Sequence, residues 1–138
     1  EINKKRYQDV GRRTLDSLSI SRDDKEGRLG FFGSMTGLFG APVLVVMSVD
    51  RRLSLEYAML DVGAYIQTLC LLAHERGLGT CIMAAAVQYP DLLRNHFGIP
   101  DAERIIAGVA IGYPEADNAV NNFERIRAAS DEIIRWVE

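Results

Sequence analysis

Residues 54–76 constrain this chain more than any other stretch, because they read as one long helix that is apolar on nearly every side. Ser54 can cap its start, and Leu55, Met59, Val62, Ile66, Leu69 and Ala73 advance in alternating steps of four and three, the spacing of one helix face. Tyr57, Ala58, Leu60, Tyr65, Cys70, Leu71 and Leu72 fill the remaining faces. A helix of this kind has to be covered on most sides. At 1.5 Å per residue it would span roughly 35 Å, about the width of a small domain, and a chain of 138 residues has difficulty enclosing it. The expectation is a helix at the centre of something larger, either a dimer interface or chain that lies outside this sequence.

The flanking pattern alternates helix and strand. Residues 4–19 place Tyr7, Val10, Leu15 and Leu18 among charges as an amphipathic helix, with Gly11 its weak point. Ser21 is the expected cap of a second helix whose first turn holds Asp23 and Asp24 and whose apolar face holds Leu29, Phe31, Phe32, Met35, Leu38 and Phe39. Glycines at 27, 30, 33, 37 and 40 predict that this helix is interrupted or mobile. After Pro42, residues 43–49 are β-formers in a run too short for a helix and are expected to form a buried central strand. Gly77 and Gly79 stop the long helix, residues 80–85 read as extended, and Pro90 opens a short helix that Gly98 closes. Residues 104–112 form a second buried strand; beyond Pro114 comes a polar loop and a tail that can finish as a strand. The alternation predicts a sheet covered by helices in a single domain over residues 1–138.

Composition removes several classes of function. A net charge of −3 and a pI near 5.4 lack the basic excess that nucleic acid demands, and the balance suits a cytoplasmic protein. No uncharged run reaches the roughly 18 residues of a membrane span. Cys70 and Cys81 are spaced for neither a zinc site nor a redox pair and are expected to be buried free thiols. His74 and His96 fall on separate helices facing solvent, no nucleophile elbow frames any serine, and no metal-ligand cluster is visible. The first residue is Glu1 rather than methionine, which reads as a chain whose amino terminus lies upstream.

Gly77-Leu78-Gly79 invites a dinucleotide reading, but Rossmann glycines follow a strand and open a helix, whereas these close a helix and open a strand. Taken alone the pair is a helix cap with a sharp turn. It stands in an ordered set: Asp61-Val62-Gly63-Ala64-Tyr65-Ile66-Gln67-Thr68-Leu69, then Ala73-His74-Glu75-Arg76-Gly77-Leu78-Gly79-Thr80-Cys81-Ile82-Met83-Ala84-Ala85, then Phe97-Gly98-Ile99-Pro100, then Val109-Ala110-Ile111-Gly112-Tyr113-Pro114. Upstream, Arg22-Asp23-Asp24-Lys25 and the stretch from Phe32 through Phe39-Gly40-Ala41-Pro42 extend it over almost the whole chain. The set resembles the FMN-dependent nitroreductase family.

That resemblance implies an α+β fold, a central mixed sheet flanked by helices in an intertwined homodimer with FMN at the interface, here incomplete at the amino terminus. The family's Arg-rich phosphate motif and Ser/Asn flavin segment have no counterpart in this chain. Residues 54–76 match the family's central dimer helix, and residues 131–137 match its arm onto the partner subunit. The implied cofactor-binding residues are Met83, Ala84, Ala85 and Ala86 beside the isoalloxazine, with Arg125 and Arg127 at the FMN phosphate. A planar ring needs close main-chain approach, which alanines permit, and peptide N–H groups near N5 would stabilise a reduced ring without a titratable side chain. Guanidinium suits phosphate because its planar donors make two charge-assisted bonds at once. The same alanines can equally be core filler, and the arginines a solvated face beside Glu124 and Asp131.

The implied activity is electron transfer from NADH or NADPH, through FMN, to a nitroaromatic, quinone or related small acceptor. No catalytic side chain and no metal are expected, and neither nucleic acid nor a membrane is an expected partner. The competing readings are a catalytically incomplete flavin- or ligand-binding module of the same fold and a plain helical dimerisation unit. Phe31, Phe32 and Phe39 are candidates either for the acceptor side or for the core.

Overall fold

The computed structural model describes residues 2–137, with the side chains of residues 2 and 3 left aside. In chain order the elements are α1 (Ile2–Ser17), α2 (Lys25–Thr36), a 3-10 turn (Leu38–Gly40), β1 (Val43–Asp50), α3 (Leu55–Glu75), β2 (Gly79–Met83), a second 3-10 turn (Ala85–Val87), α4 (Pro90–Phe97), β3 (Glu103–Gly112), α5 (Ala119–Asn122) and α6 (Ser130–Ile133). They group into two compact units, one of residues 25–114 and one of residues 1–24 with 115–138.

The larger unit is built on a three-stranded sheet in the order β1-β3-β2, with β3 in the middle and both pairings antiparallel. Apolar residues run almost unbroken through β3, as suits a strand flanked on both edges, and Val109 at its centre is fully buried. Opposite Val109 lie Val45 on β1 and Ile82 on β2. Between Met47 and Ser48 the register slips by one residue, so Met47 pairs with Ala107 and Ser48 with Ile105. The bulge lets the adjacent residues Ile106 and Ala107 both pack toward the core.

Helix α3 supplies the other half of that core. Ile66 is buried together with Met47 and Val109, and Val62, Leu69 and Cys70 pack around them, so the middle of the predicted stripe is the observed contact face. Ser54 takes the N-cap position, but its hydroxyl donates to the Glu56 carboxylate at 2.6 Å instead of capping a backbone N–H, which lowers the Glu56 pKa. The faces away from the sheet stay bare within the chain: Tyr57, Leu60, Tyr65 and Leu71 are each at least 60% exposed.

Three local expectations need correction. Ser21 does not cap α2; its carbonyl accepts from the Asp24 N–H in a tight turn and the helix starts at Lys25, which leaves Asp23 and Asp24 ahead of the first turn. Helix α2 runs unbroken through Gly27, Gly30 and Gly33 and ends before Gly37, because helical hydrogen bonding tolerates isolated glycines at a modest cost of about 1 kcal/mol each. The tail forms no strand after α6 among the described residues; Ile134 has extended dihedrals, but a strand requires a neighbouring strand to pair with.

At the end of β1, Asp50 accepts from the Arg52 side chain, with Nε 3.0 Å from both carboxylate oxygens, and from the Arg52 backbone N–H at 2.8 Å. These bonds, the guanidinium ones first, hold the Asp50 carboxyl at about 2 against an ordinary 3.8. A depressed folded-state pKa means that this contribution to stability is complete above the unfolded value and is lost as pH falls through about 2. An NMR titration of the Asp50 carboxyl carbon is expected to give a midpoint near 2, and Arg52→Ala should return it toward 3.8.

Candidate functional site

The bend after α3 is a Schellman cap. The Gly77 N–H donates to the His74 carbonyl at 2.9 Å and the Leu78 N–H to the Ala73 carbonyl at 3.0 Å, with Gly77 at φ 72° in the left-handed region that glycine occupies without strain. The chain therefore reverses at Gly77 and enters β2 directly, lying along the edge of β3 with Gly79 opposite Gly112 and Met83 opposite Gly108. A side chain at Gly79 would press on Pro114 at 3.1 Å, so the glycine pair serves both the cap and a close strand approach.

Strand β2 stops at Met83, two residues short of the expected extended run. Ala84 has turned to αR dihedrals (φ −67°, ψ −33°), and the Val87 and Gln88 N–H groups close the turn on the Ala84 and Ala85 carbonyls at 3.1 and 3.3 Å. Met83 is buried, Ala84 is exposed, and Ala85 and Ala86 are half-buried as the turn packs on β3 and α2. The four sequence-predicted residues thus run consecutively from the end of β2 into the 3-10 turn, with small side chains at the three alanines. Met83 is the buried end of this run, and Ala84 is its exposed residue.

The sheet face that receives this turn carries Gly108, Ala110 and Gly112 at alternate positions of β3. A Cβ at Gly108 would meet the Ala86 Cβ at 2.8 Å, and one at Gly112 would meet Pro42 Cδ at 3.0 Å. Sequence reasoning passed over these positions, although small residues recurring at every second place of a buried strand are the available signal for a close approach.

Phe31, Phe32 and Phe39 form a chain of tilted ring contacts with centroids 6.1 to 6.2 Å apart. Phe31 is half-buried, but Phe32 and Phe39 are exposed, which excludes a core role within this unit for those two. Leu38 and Phe39 both adopt left-handed dihedrals, φ 56° and 54°, a conformation costly for side chains of this size.

Cys70 and Cys81 are free, as expected, but not buried: Cys70 is half-buried on α3, and Cys81 is exposed on β2, at an edge of the sheet. The protein packed around the Cys81 thiol, with Cys70 as the second cause, pushes its pKa up and disfavours the thiolate. Both histidines are exposed.

Arg125 and Arg127 belong to the smaller unit, and both are exposed. Arg125 Nη1 and Nη2 donate to the Asn121 and Val120 carbonyls at 3.3 and 3.2 Å, and its guanidinium carbon lies 5.0 Å over the Phe123 ring. Arg127 Nη1 donates to the adjacent Ile126 carbonyl at 3.2 Å. Nearby, the Glu132 carboxylate ties this segment to α1 through Arg6 at 3.4 Å. No helix among the described residues is long and apolar enough to cross a membrane.

Known proteins share this arrangement. A 4-nitrobenzoate reductase of Pseudomonas putida is 32% identical over 108 residues, which are 78% of this chain and 47% of that protein. The crystal structure of the FMN and NADPH-dependent nitroreductase NfnB from Sphigopyxis sp. strain HMH superposes with a TM-score of 0.91 at 32% identity, covering 98% of this chain and 60% of that one. The FMN-dependent nitroreductase NfnB from Mycobacterium smegmatis, solved in complex with NADPH, gives a TM-score of 0.90 at 26% identity over 100% of this chain and 61% of that one. The chain spans about half the length of the curated relatives it matches. The family profile described as Nitroreductase family matches residues 4–113, and with these relatives and the shared sheet, central helix and β2 bend, the chain belongs to the nitroreductase family.

Proposed function

We propose that this protein is a cytoplasmic FMN-dependent oxidoreductase that passes electrons from NADH or NADPH to a nitroaromatic, quinone or related acceptor, and that residues 1–138 act as part of one domain of a homodimer. The observation that carries the reading is the run at residues 83–86, where three alanines follow a buried methionine into a turn that packs closely on the glycine-bearing strand. Such a patch fits a flat ring better than a side-chain-lined site would, because nothing projects from it to hold the ring away.

When bound, FMN supplies the two-electron chemistry, and the chain supplies binding and orientation. Main chain at Ala84, Ala85 and Ala86 would support the ring and present N–H groups to its electron-rich edge. Arg125 and Arg127 would hold the phosphate with charge-assisted bonds. Phe32 and Phe39, exposed and aromatic, suit the acceptor side. The bare faces of α3 support the dimer: Tyr57, Leu60, Tyr65 and Leu71 together make an apolar surface that a monomer would leave in water.

The test is to purify the full-length protein and follow flavin absorbance. The expected result is a yellow protein, or one that takes up added FMN, whose flavin band bleaches with NADH or NADPH and recovers on adding a nitroaromatic or quinone. A protein that gains no flavin defeats the reading, and one that binds FMN without bleaching supports a binding module instead.

A further inference from the structure

We propose that Gly108 is a positioning residue for the putting-down of the ring: its missing side chain is what allows the turn bearing residues 83–86 to lie against β3. The proposal rests on the FMN reading above and names the residue that fixes the height of the patch.

Gly108 is buried in the central strand, paired with Met83 on one side and Val46 on the other. Its backbone lies outside the left-handed region, so conformation does not require glycine there. Glycine inside a strand also weakens the strand, because it loses more backbone freedom on folding and contributes no packing. What it permits is proximity. A Cβ would meet Ala86 Cβ at 2.8 Å, Leu44 Cδ1 at 3.0 Å and the Met83 carbonyl oxygen at 3.7 Å.

The contacts differ in kind. Leu44 Cδ1 ends a flexible side chain and can rotate aside. Ala86 Cβ is bonded directly to the main chain, so relieving that clash moves the backbone of the turn. The nearest of the three contacts is the one to that turn. Gly108→Ala is therefore expected to lift the main chain at residues 84–86, and moving the backbone proposed to lie under the ring weakens FMN retention on the order of tenfold. Ala86→Gly removes the opposing atom, so the double variant should recover.

The experiment compares wild type, Gly108→Ala, Ala86→Gly and the double variant in the full-length protein. FMN dissociation constants are measured by titrating apoprotein with FMN, and hydrogen exchange of the Val87 and Gln88 amides, which close the turn, is measured without FMN. The expected result is about tenfold weaker FMN binding and faster Val87 and Gln88 exchange in Gly108→Ala, with the double variant within about threefold of Ala86→Gly on both readouts. Unchanged binding and exchange in Gly108→Ala would overturn the proposal, as would a loss that Ala86→Gly does not relieve. Should Gly108→Ala fail to fold, a folded double variant that binds FMN supports the proposal and an unfolded one overturns it. If wild type takes up no FMN, the functional reading falls, while the exchange data on the four proteins still decide whether Gly108 sets the turn.

Discussion

Arg94→Ala is expected to cost about 3 kcal/mol of stability, because hydrogen bonds to a charged group contribute roughly 1.5 to 3 kcal/mol each and this side chain makes two short ones. Its side chain is only 12% exposed. Nη1 donates to the Pro100 carbonyl at 2.6 Å, and Nη2 to the Glu103 carbonyl at 2.6 Å. One guanidinium thus fastens the end of α4, the connecting loop and the first residue of β3. The Asp101 carboxylate at 3.9 Å adds little, since Asp101 is fully exposed and an exposed pair is screened. Removing the fork takes this donor from the Glu103 carbonyl, while the Pro100 carbonyl keeps the Glu103 N–H at 3.0 Å. Arg94→Lys should recover less than half, because a single ammonium cannot reach carbonyls that a planar fork spans. Urea unfolding with an unchanged m-value and a lowered midpoint is the readout. The functional link is indirect: Arg94 fixes the start of the strand on which Gly108 lies.

The second large effect concerns cofactor retention. Replacing Arg125 and Arg127 together with alanine is expected to weaken FMN binding about a hundredfold, since each charge-assisted bond to phosphate is worth roughly 1.5 kcal/mol or more. The carbonyl bonds described for the two side chains use only part of each guanidinium's donor set. Arg127, with one such bond to its neighbour, should account for more of the loss than Arg125, which also stacks on Phe123. Both side chains are exposed, so thermal stability should change little. Added salt should weaken wild-type binding more than binding by the double variant, because screening acts on the charges that the variant lacks. Equal FMN affinity in wild type and the double variant would place the phosphate elsewhere.

Much of the fold could be read in advance where a local signal and the tertiary demand agree. The stripe through Val62, Ile66 and Leu69 is both a helix period and the face that meets β3. Pro90 and Gly98 bracket α4 because proline suits a first helical turn and Gly98 takes φ 65° at its end. The misreadings arise where a local signal has more than one outlet. Ser21 can cap a helix or close a turn, and here its carbonyl does the second. Cys81 is apolar in its neighbours but falls on an edge strand, which sequence order alone does not reveal. At the candidate site, the alanines at 84 to 86 become candidates only through the ordered motifs around them, because alanine carries no chemistry of its own. Gly108 was missed for a different reason: its role is a contact with a distant turn, and in the sequence it is one small residue in an apolar run.

The central claim is that a flavin ring lies on the main chain of residues 83–86, and backbone amide exchange tests it most directly. Full-length protein is measured with and without saturating FMN, and protection is read residue by residue. The account predicts that the amides of Ala84, Ala85 and Ala86 become protected on FMN addition, while that of Arg52, beyond the end of β1, does not change. Protection confined to other segments, with Ala84, Ala85 and Ala86 exchanging as before, would contradict it.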